Sequence, residues 1–213
     1  MKLDVQDLGE GLDFPKTWSM QEDLVAKRRA GEISDTLLLL EHAPVYTIGR
    51  TRDQSSLRDQ SLLPYPLVEI NRGGEGTFHG PGQLVGYAIL DLEHYHKDLH
   101  RHLRNLEEAI IRTLEKLGVK AQRRDGLTGV WIENRKIASL GVGVRSWVTL
   151  HGLALNVQRK SLPPFQAITP CGLAEVTMTS IESELNAPIE MAEVKGLLTQ
   201  EYREILISEW QTE

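Results

Sequence analysis

Two side chains in this sequence are able to take part in covalent chemistry: Cys171, in "ITPCGL", and Lys136, in "ENRKIASLGVG". A proline before the cysteine and a glycine after it favour a loop, where a thiol is accessible. A free thiol is only a few per cent thiolate at neutral pH, so a nucleophilic cysteine needs a base or a nearby cation. Lys136 is a candidate cation, and His79 and His151 are candidate bases.

Both residues also have ordinary explanations. A single cysteine is more often a small buried hydrophobe, and a lysine beside a hairpin turn is normally exposed to solvent. The distance in sequence between Lys136 and Cys171 does not show whether the two side chains meet. Taken alone, the residues support a cysteine enzyme with a glycine-lined pocket as a hypothesis and no more.

The pocket hypothesis comes from "RGGEGTFHGPGQ", the stretch from Arg72 to Gln83, which contains five glycines. It lacks the lysine and hydroxyl residue of a phosphate-binding P-loop, and its glycine spacing does not fit GxGxxG. Close glycines are also typical of structural turns. The functional alternative is a site for an acyl oxygen, with polar side chains from Arg72, His79 and Gln83 and backbone N–H donors beside Gly73, Gly74 and Gly80.

Four histidines lie close together, at His94, His96, His100 and His102. The pair at 96 and 100 has the spacing that zinc accepts on one helix face. A third ligand in a known frame is missing, so we expect no metal site.

Composition limits the class of protein. The chain has 213 residues and a net charge of −6, which favours one domain over residues 1–213 and argues against nucleic acid as a partner. No apolar run approaches the roughly 18 residues that span a bilayer. The acidic N-terminal stretch does not resemble a secretory signal, and one cysteine fits a reducing compartment, so we expect a cytoplasmic protein. Short basic clusters are either solvated surface or a docking surface for an acidic partner.

Hydrophobic periodicity predicts an α+β fold, with a mixed or antiparallel central sheet flanked by helices. The predicted helices are Phe14–Gly31, Asp98–Gly118 and Ile189–Ser208. Predicted strands are Thr36–Leu40, Val45–Ile48, Tyr65–Ile70, Leu84–Leu92, Leu127–Glu133, Lys136–Arg145 and Val148–Val157, with a hairpin turn at Asn134 and Arg135.

Several long motifs occur together in a fixed order. They are "EHAPVYTIGR", "RGGEGTFHGPGQLVGYAILDL", "GVWIENRKIASLGVGV", "WVTLHGLALNV" and "PCGL" followed by "TSI", spanning Glu41 to Ile181. In these motifs the chain resembles the octanoyltransferases of lipoate biosynthesis, also called lipoyl(octanoyl) transferases or the lipoate-protein ligase B family. One departure is Ala88, where that family often has proline.

The resemblance implies a fold shared with lipoate and biotin protein ligases and an acyltransferase activity. An octanoyl or lipoyl group would pass from acyl carrier protein to a lysine of a lipoyl domain, as the first step of endogenous protein lipoylation. Cys171 matches the cysteine that accepts the acyl group as a thioester, and Lys136 matches the lysine that activates it. The matching substrate-binding residues are Arg72, Gly73, Gly74, Glu75, Gly76, Thr77, Phe78, His79, Ser139, Leu140, Gly141, Gly152, Leu153 and Ala154.

The resemblance also implies partners and cofactors. The donor would be octanoyl-acyl carrier protein, with the acyl group on its phosphopantetheine, and neither ATP nor a metal would be needed. The acceptors would be lipoyl domains of 2-oxoacid dehydrogenases and the glycine cleavage H protein. Neither nucleic acid nor a membrane is implied, and we expect a monomer.

Three other functions remain open from sequence. An ATP-dependent lipoate or biotin protein ligase would use its lysine on an acyl-adenylate and would not need Cys171. A binding protein of this fold would have no need of Cys171, Lys136 and His79 together. A thioesterase would release octanoate to water.

Overall fold

In the computed structural model, residues 2–49, 55–57, 59–70, 75–169 and 176–210 are described, and eight of their strands form one mixed sheet. The strands are β1 Leu3–Leu12, β2 Asp35–His42, β3 Val45–Ile48, β4 Leu67–Glu69, β5 Thr77–His79, β6 Gln83–Ile89, β7 Gln122–Arg124, β8 Leu127–Ile132, β9 Arg135–Arg145, β10 Val148–Asn156 and β11 Thr177–Met178. The helices are α1 Phe14–Arg29, α2 Leu99–Lys116, α3 Ile181–Leu185 and α4 Met191–Glu209.

The large sheet has the order β1-β2-β6-β10-β9-β8-β7, and β11 pairs with β9. Its pairs are antiparallel from β2 to β7, whereas β1 joins β2, and β11 joins β9, in parallel. A smaller sheet has the order β4-β3-β5. The α+β fold with a mixed sheet predicted from the sequence is therefore confirmed.

Helix α2 shows why the predicted elements form. Leu106, Ile110 and Leu114 recur on one face and are fully buried against the sheet and α4. Asp98 caps the helix by accepting hydrogen bonds from the amides of His100 and Arg101. No helix among the described residues is long and apolar enough to cross a membrane.

The fold differs from the sequence prediction at several places, among them the unpredicted elements β1, β5, β7, β11 and α3. The hairpin between β8 and β9 turns at Glu133 and Asn134, one position earlier than predicted, because Glu133 takes the left-handed conformation with φ of 53°. Strand β1 was not predicted at all. Its acids and glycines disfavour a strand, but it pairs with β2 along its length, with two register shifts around Gly9.

Candidate active site

A cavity of about 240 Å³ lies where the two sheets, the start of α1 and the β7–β8 turn meet. Lys136 is in its wall. Most of the substrate-binding residues implied by the sequence resemblance also line it: Glu75, Gly76, Thr77, His79, Ser139, Leu140, Gly141, Gly152, Leu153 and Ala154. Residues distant in sequence therefore converge on one cavity.

Phe78 is the described member of that set that does not line the cavity. Successive side chains of a strand point to opposite faces, so Thr77 and His79 line the cavity while Phe78 points away from it. Its ring packs in an apolar cluster with Tyr46 and, edge to face at 5.7 Å, with Phe165. Phe78 supports the cavity wall and does not line it.

Cys171, Arg72, Gly73 and Gly74 lie outside the described residues. The residues that border the first of these two segments line the cavity. Ile70 and Glu75, on either side of the first segment, both line the cavity.

Lys136 is buried, with 4% of its surface exposed, although a lysine beside a turn was expected to be solvated. In the pairing of β8 with β9, Val130 lies opposite Ala138 and Trp131 opposite Lys136, so Ile137 is an extra residue in a β-bulge. The bulge reverses the face of the strand on which Lys136 lies. Lys136 therefore shares the cavity face with Ser139, whereas Ala138 faces the helices.

Strand β11 lies directly beside Lys136. Met178 pairs with Lys136 in parallel register, and the amide of Thr179 donates a hydrogen bond of 3.0 Å to the Lys136 carbonyl. This strand comes shortly after Cys171 in the chain. On the other side of the cysteine segment, the amide of Thr169 donates to the carbonyl of Ser56 at 2.7 Å.

Small residues form one wall of the cavity. Ser139 pairs with Ala154 and Gly141 with Gly152, so these four residues occupy neighbouring positions on the same face of β9 and β10. With so little side-chain volume, this part of the sheet leaves room for a narrow apolar chain. Leu140 and Leu153, the alternate pair, also line the cavity, while their side chains pack in the large hydrophobic core.

Aromatic and imidazole rings form another part of the cavity lining, the aromatic wall, which sequence reasoning anticipated only in part. Phe14 stacks on His79 with ring centroids 5.8 Å apart, and Tyr87 meets His151 edge to face at 6.2 Å. All four line the cavity. Only the histidines were candidates from sequence, since Phe14 at a helix start and Tyr87 in a strand resemble ordinary core residues. Other lining residues missed by sequence reasoning are Ile70, Gly126, Leu127, Thr128 and Phe165.

His42 supports the aromatic wall from behind. Its Nδ1–H donates to the Leu12 carbonyl at 2.9 Å, so its Nε2 accepts from the Tyr87 hydroxyl at 2.7 Å. Burial lowers the pKa of His42 to about 4, despite the opposing effect of the bond to Leu12. His42 is therefore neutral at physiological pH and fixes the Tyr87 ring.

A second polar network connects the cavity to β11. The Gln83 amide nitrogen donates to the carbonyl of Phe78 at 3.1 Å and to Asn156 Oδ1 at 3.0 Å. Gln83 Oε1 must then accept, so His79 carries its hydrogen on Nδ1 and donates at 2.8 Å. Asn156 Nδ2 in turn donates to the Thr179 carbonyl at 3.1 Å. Gln83, a candidate ligand-binding residue, is engaged with the protein itself.

The glycine-rich loop has a structural explanation in its second half. The backbone N–H of Gln83 donates to the Gly80 carbonyl at 3.1 Å, and Gly82 has φ of 85°. Both are features of a type II turn with proline at its second position. This turn joins β5 to β6. Gly82 therefore serves the chain reversal, while Gly76 lines the cavity.

Comparison with known families decides what kind of protein carries this cavity. The family model of the lipoyl protein ligase A/B catalytic domain matches residues 13–203. The chain belongs to this family. An octanoyltransferase of Geobacter metallireducens is 48% identical over 191 residues, covering 90% of this chain and 87% of the relative. Another, of Rubrobacter xylanophilus, is 47% identical over 210 residues, covering 96% of this chain and 94% of the relative.

Solved structures of this wider family have the same fold. A bipartite lipoate protein ligase of Thermoplasma acidophilum is similar with a TM-score of 0.71 at 18% identity, over 97% of this chain and 85% of that one. The biotin protein ligase of Aquifex aeolicus is similar with a TM-score of 0.59 at 14% identity, over 98% and 70% of the two chains. At such low identity these likenesses concern the fold alone. They confirm the prediction that this chain has the fold of lipoate and biotin protein ligases.

Two of the four clustered histidines, His94 and His102, are packed against other parts of the protein. His94 stacks on Trp210 at 4.9 Å, and His102 is buried within α2. In the described part of the chain, no group of three or more histidine, cysteine, aspartate or glutamate side chains could hold a metal ion.

Proposed function

We propose that this chain transfers an octanoyl group from acyl carrier protein to a lysine of a lipoyl domain, through a thioester on Cys171. Lys136 carries the proposal, as a buried cation in the wall of a cavity, beside the strand that follows the cysteine segment. The named activity of the octanoyltransferase relatives supports the substrate, and the small residues along β9 and β10 suit a straight acyl chain.

In the first half-reaction, the Cys171 thiolate attacks the carbonyl carbon of the octanoyl thioester. The bond from that carbon to the phosphopantetheine sulfur breaks, and the released thiolate takes a proton from the Lys136 ammonium. One thioester replaces another, so the step is close to thermoneutral. Before the attack, the ammonium stabilises the Cys171 thiolate electrostatically, and backbone donors of the glycine-rich loop meet the oxyanion as it forms.

In the second half-reaction, the amine of the acceptor lysine attacks the same carbonyl carbon. The carbon–sulfur bond to Cys171 breaks, and the amine loses a proton to the now neutral Lys136, which acts as general base. The products are an amide and the original thiolate–ammonium pair. Amide formation from a thioester is downhill, so the cycle needs neither ATP nor a metal.

The partners follow from this chemistry. The donor is octanoyl-acyl carrier protein, and the acceptors are lipoyl domains of 2-oxoacid dehydrogenases and the glycine cleavage H protein. A cytoplasmic location and a monomeric state remain predictions. The alternative, an ATP-dependent ligase, has only the fold likeness in its favour, whereas the octanoyltransferase relatives are similar over nearly the whole chain.

The test is the intact mass of the protein after mixing with octanoyl-acyl carrier protein in the absence of ATP, beside a Cys171→Ala control. We expect a gain of one octanoyl group that hydroxylamine removes and that the control lacks. Addition of an unmodified lipoyl domain should then return the enzyme to its original mass and transfer the octanoyl group to the domain.

Two results would contradict the proposal. If the mass does not change even in rapidly quenched samples, while free octanoate and ATP together modify the lipoyl domain, the chain is a ligase. If the acyl-enzyme forms but decays to free octanoate with the acceptor present, the chain is a thioesterase.

A further inference from the structure

The ammonium of Lys136 lies against the ring of Trp131. Its Nζ is 5.3 Å from the ring centroid, and the two residues are direct cross-strand neighbours in β8 and β9. The Trp131 side chain is fully buried. The ring quadrupole of tryptophan attracts a cation placed over its face more strongly than the ring of any other aromatic side chain does, and the attraction is larger where water is excluded.

Gly129 bounds Lys136 on a second side. A Cβ at this position would lie 2.6 Å from Lys136 Cε, 2.9 Å from the Ala138 carbonyl oxygen and 3.2 Å from Lys136 Nζ, so a side chain here would displace both the lysine and the backbone of β9. Gly129 also has φ of 137°, which favours glycine. Its amide donates to Glu107 Oε1 at 3.0 Å, and Glu107 is completely buried on α2. The backbone beside the lysine is therefore held from the helical core.

We propose that Trp131 and Gly129 are positioning residues, which together form a lysine seat that holds the Lys136 ammonium at the cavity wall. The Ile137 bulge brings Lys136 to the cavity face, Trp131 attracts its charge, and Gly129 leaves the space that it occupies. The inference rests on the proposed function, because its consequence is the activation of Cys171.

The seat makes a prediction about the Cys171 thiol. If Trp131 or Gly129 is changed, the ammonium loses its position, and it stabilises the Cys171 thiolate less. Trp131 suits such a test because its indole Nε1 has no hydrogen-bond partner among the described residues. Replacement by phenylalanine therefore keeps an aromatic face without breaking a hydrogen bond.

Other charged or titratable groups surround the seat and must be considered in any pH profile. From β7, Arg124 places its guanidinium 4.9 Å from the centroid of the same Trp131 ring. Glu107 reaches the seat from α2, through Gly129. Within the cavity wall, the groups are Glu75, His79 and His151. All of these groups are kept in the Trp131 and Gly129 variants. Trp131→Leu also removes the contact of Arg124 with the ring, whereas Gly129→Ala keeps it, so a change shared by both variants reports on the seat.

The experiment uses the single cysteine of the chain. The rate of Cys171 alkylation by iodoacetamide is measured against pH in the whole protein, and its midpoint gives the apparent pKa of the thiol. The rate of acylation by octanoyl-acyl carrier protein is measured in parallel. The variants are Trp131→Leu, Trp131→Phe, Gly129→Ala and, as a reference for complete loss of the ammonium, Lys136→Met.

We expect Trp131→Leu and Gly129→Ala to raise the thiol pKa toward that of Lys136→Met and to slow acylation about tenfold or more. Trp131→Phe should stay within about threefold of the original rate, because phenylalanine keeps part of the attraction. Trp147→Leu is the matched control. Lys97 Nζ lies 5.1 Å from the Trp147 ring centroid, so this variant removes a similar pair away from the cavity, and its alkylation profile should not change.

Each outcome decides between the two proposals. If Lys136→Met leaves both alkylation and acylation unchanged, the proposed function fails in its use of Lys136. If Lys136→Met has its effect but folded Trp131→Leu and Gly129→Ala behave like the original protein, only the lysine seat is wrong. Thermal unfolding shows whether each variant folds. Should one of these two variants not fold, the other decides.

Discussion

Lys136 shows what burial does to a charged residue. An ammonium removed from water must be compensated by nearby groups, and a buried lysine without function is therefore rare. Here, the Lys136 ammonium lies against the ring of Trp131 and in the wall of the cavity. Removing the charge should affect chemistry and stability in opposite directions, which separates a catalytic lysine from a structural one.

Lys136→Met is the variant that makes this separation. We expect the rate of acylation of Cys171 to fall by about a hundredfold or more, because the thiolate loses its neighbouring cation. We expect the free energy of unfolding to stay equal or rise, because an apolar side chain replaces a buried charge of similar length. Rapid-quench assays test the expected acylation rate, and urea unfolding tests the expected stability. A Lys136→Met variant that is acylated at the original rate would remove Lys136 from the mechanism.

Ser139 gives a second prediction at the same scale. A leucine at this position would project from the cavity face between Gly141 and the lysine, where the structure has only small residues. We expect Ser139→Leu to lower the rate with octanoyl-acyl carrier protein about tenfold or more while retaining more activity with a butyryl donor. Rates with both donors, compared as a ratio, measure the effect, and an unchanged ratio would mean that the acyl chain lies elsewhere.

At the scale of elements, the polar network from His79 to β11 ties three parts of the fold together. Gln83 belongs to β6, Asn156 ends β10, and Thr179 follows β11. All three are buried, so each lost bond leaves a donor or acceptor without water. The network holds the strand beside Lys136 in register with the cavity.

A double-mutant cycle tests this coupling. Asn156→Ala should lower the free energy of unfolding by about 2 kcal/mol, since it leaves the Thr179 carbonyl and one Gln83 proton unsatisfied. Gln83→Leu should have a similar effect, and the double variant should lose clearly less than the sum, because both single changes break the same bond. Urea unfolding of the four proteins gives the interaction energy, and simple additivity would show that the network is not coupled.

The elements themselves were largely predictable, and the site was predictable only in part. Helix α2 and strand β10 follow from local pattern, caps and turn residues. The bulge at Ile137 does not, because an extra residue changes the face of Lys136 without changing the alternation of apolar residues nearby. Nor could local pattern bring Phe14 to the cavity, since that contact depends on how α1 packs on the sheet.

At the scale of the whole molecule, arginines of two basic clusters pair with acidic residues of the same chain. Arg28 pairs with Asp35 at 2.7 Å, and Arg123 pairs with Glu107 at 3.1 Å. These arginines belong to basic clusters that the sequence offered as a docking surface for acidic partners. Lys27 has no ion-pair partner in the part of the chain that the structure describes. Docking by charge would therefore use fewer residues than the clusters suggest.

Two buried histidines should make the molecule sensitive to acid. Burial lowers the pKa values of His42 and His102 to about 4, from an ordinary value near 6.5. Between these values the unfolded chain binds more protons than the folded chain, so the free energy of unfolding decreases as pH falls from about 6.5 to 4. We expect a loss of the order of 1 to 3 kcal/mol from each histidine, measured by urea unfolding at several pH values.

His102→Leu provides the control for this prediction. His102 Nε2 has no hydrogen-bond partner among the described residues, so the variant should be at least as stable at pH 7. Its stability should fall less steeply than that of the original protein between pH 7 and 5, because the variant has one fewer buried neutral histidine that gains a proton on unfolding. Equal slopes for the two proteins would show that His102 is not buried in the neutral form.

The extra residue at Ile137 limits how this sheet can be edited or copied. A designer who grafts the lysine onto a regular antiparallel hairpin, with Ser139 and Gly141 aligned to the scaffold, would send the ammonium beneath the helices. The insertion must be transplanted together with the lysine. For the same reason, deletion of one residue between Lys136 and Ser139 would move Lys136 to the opposite face of the strand.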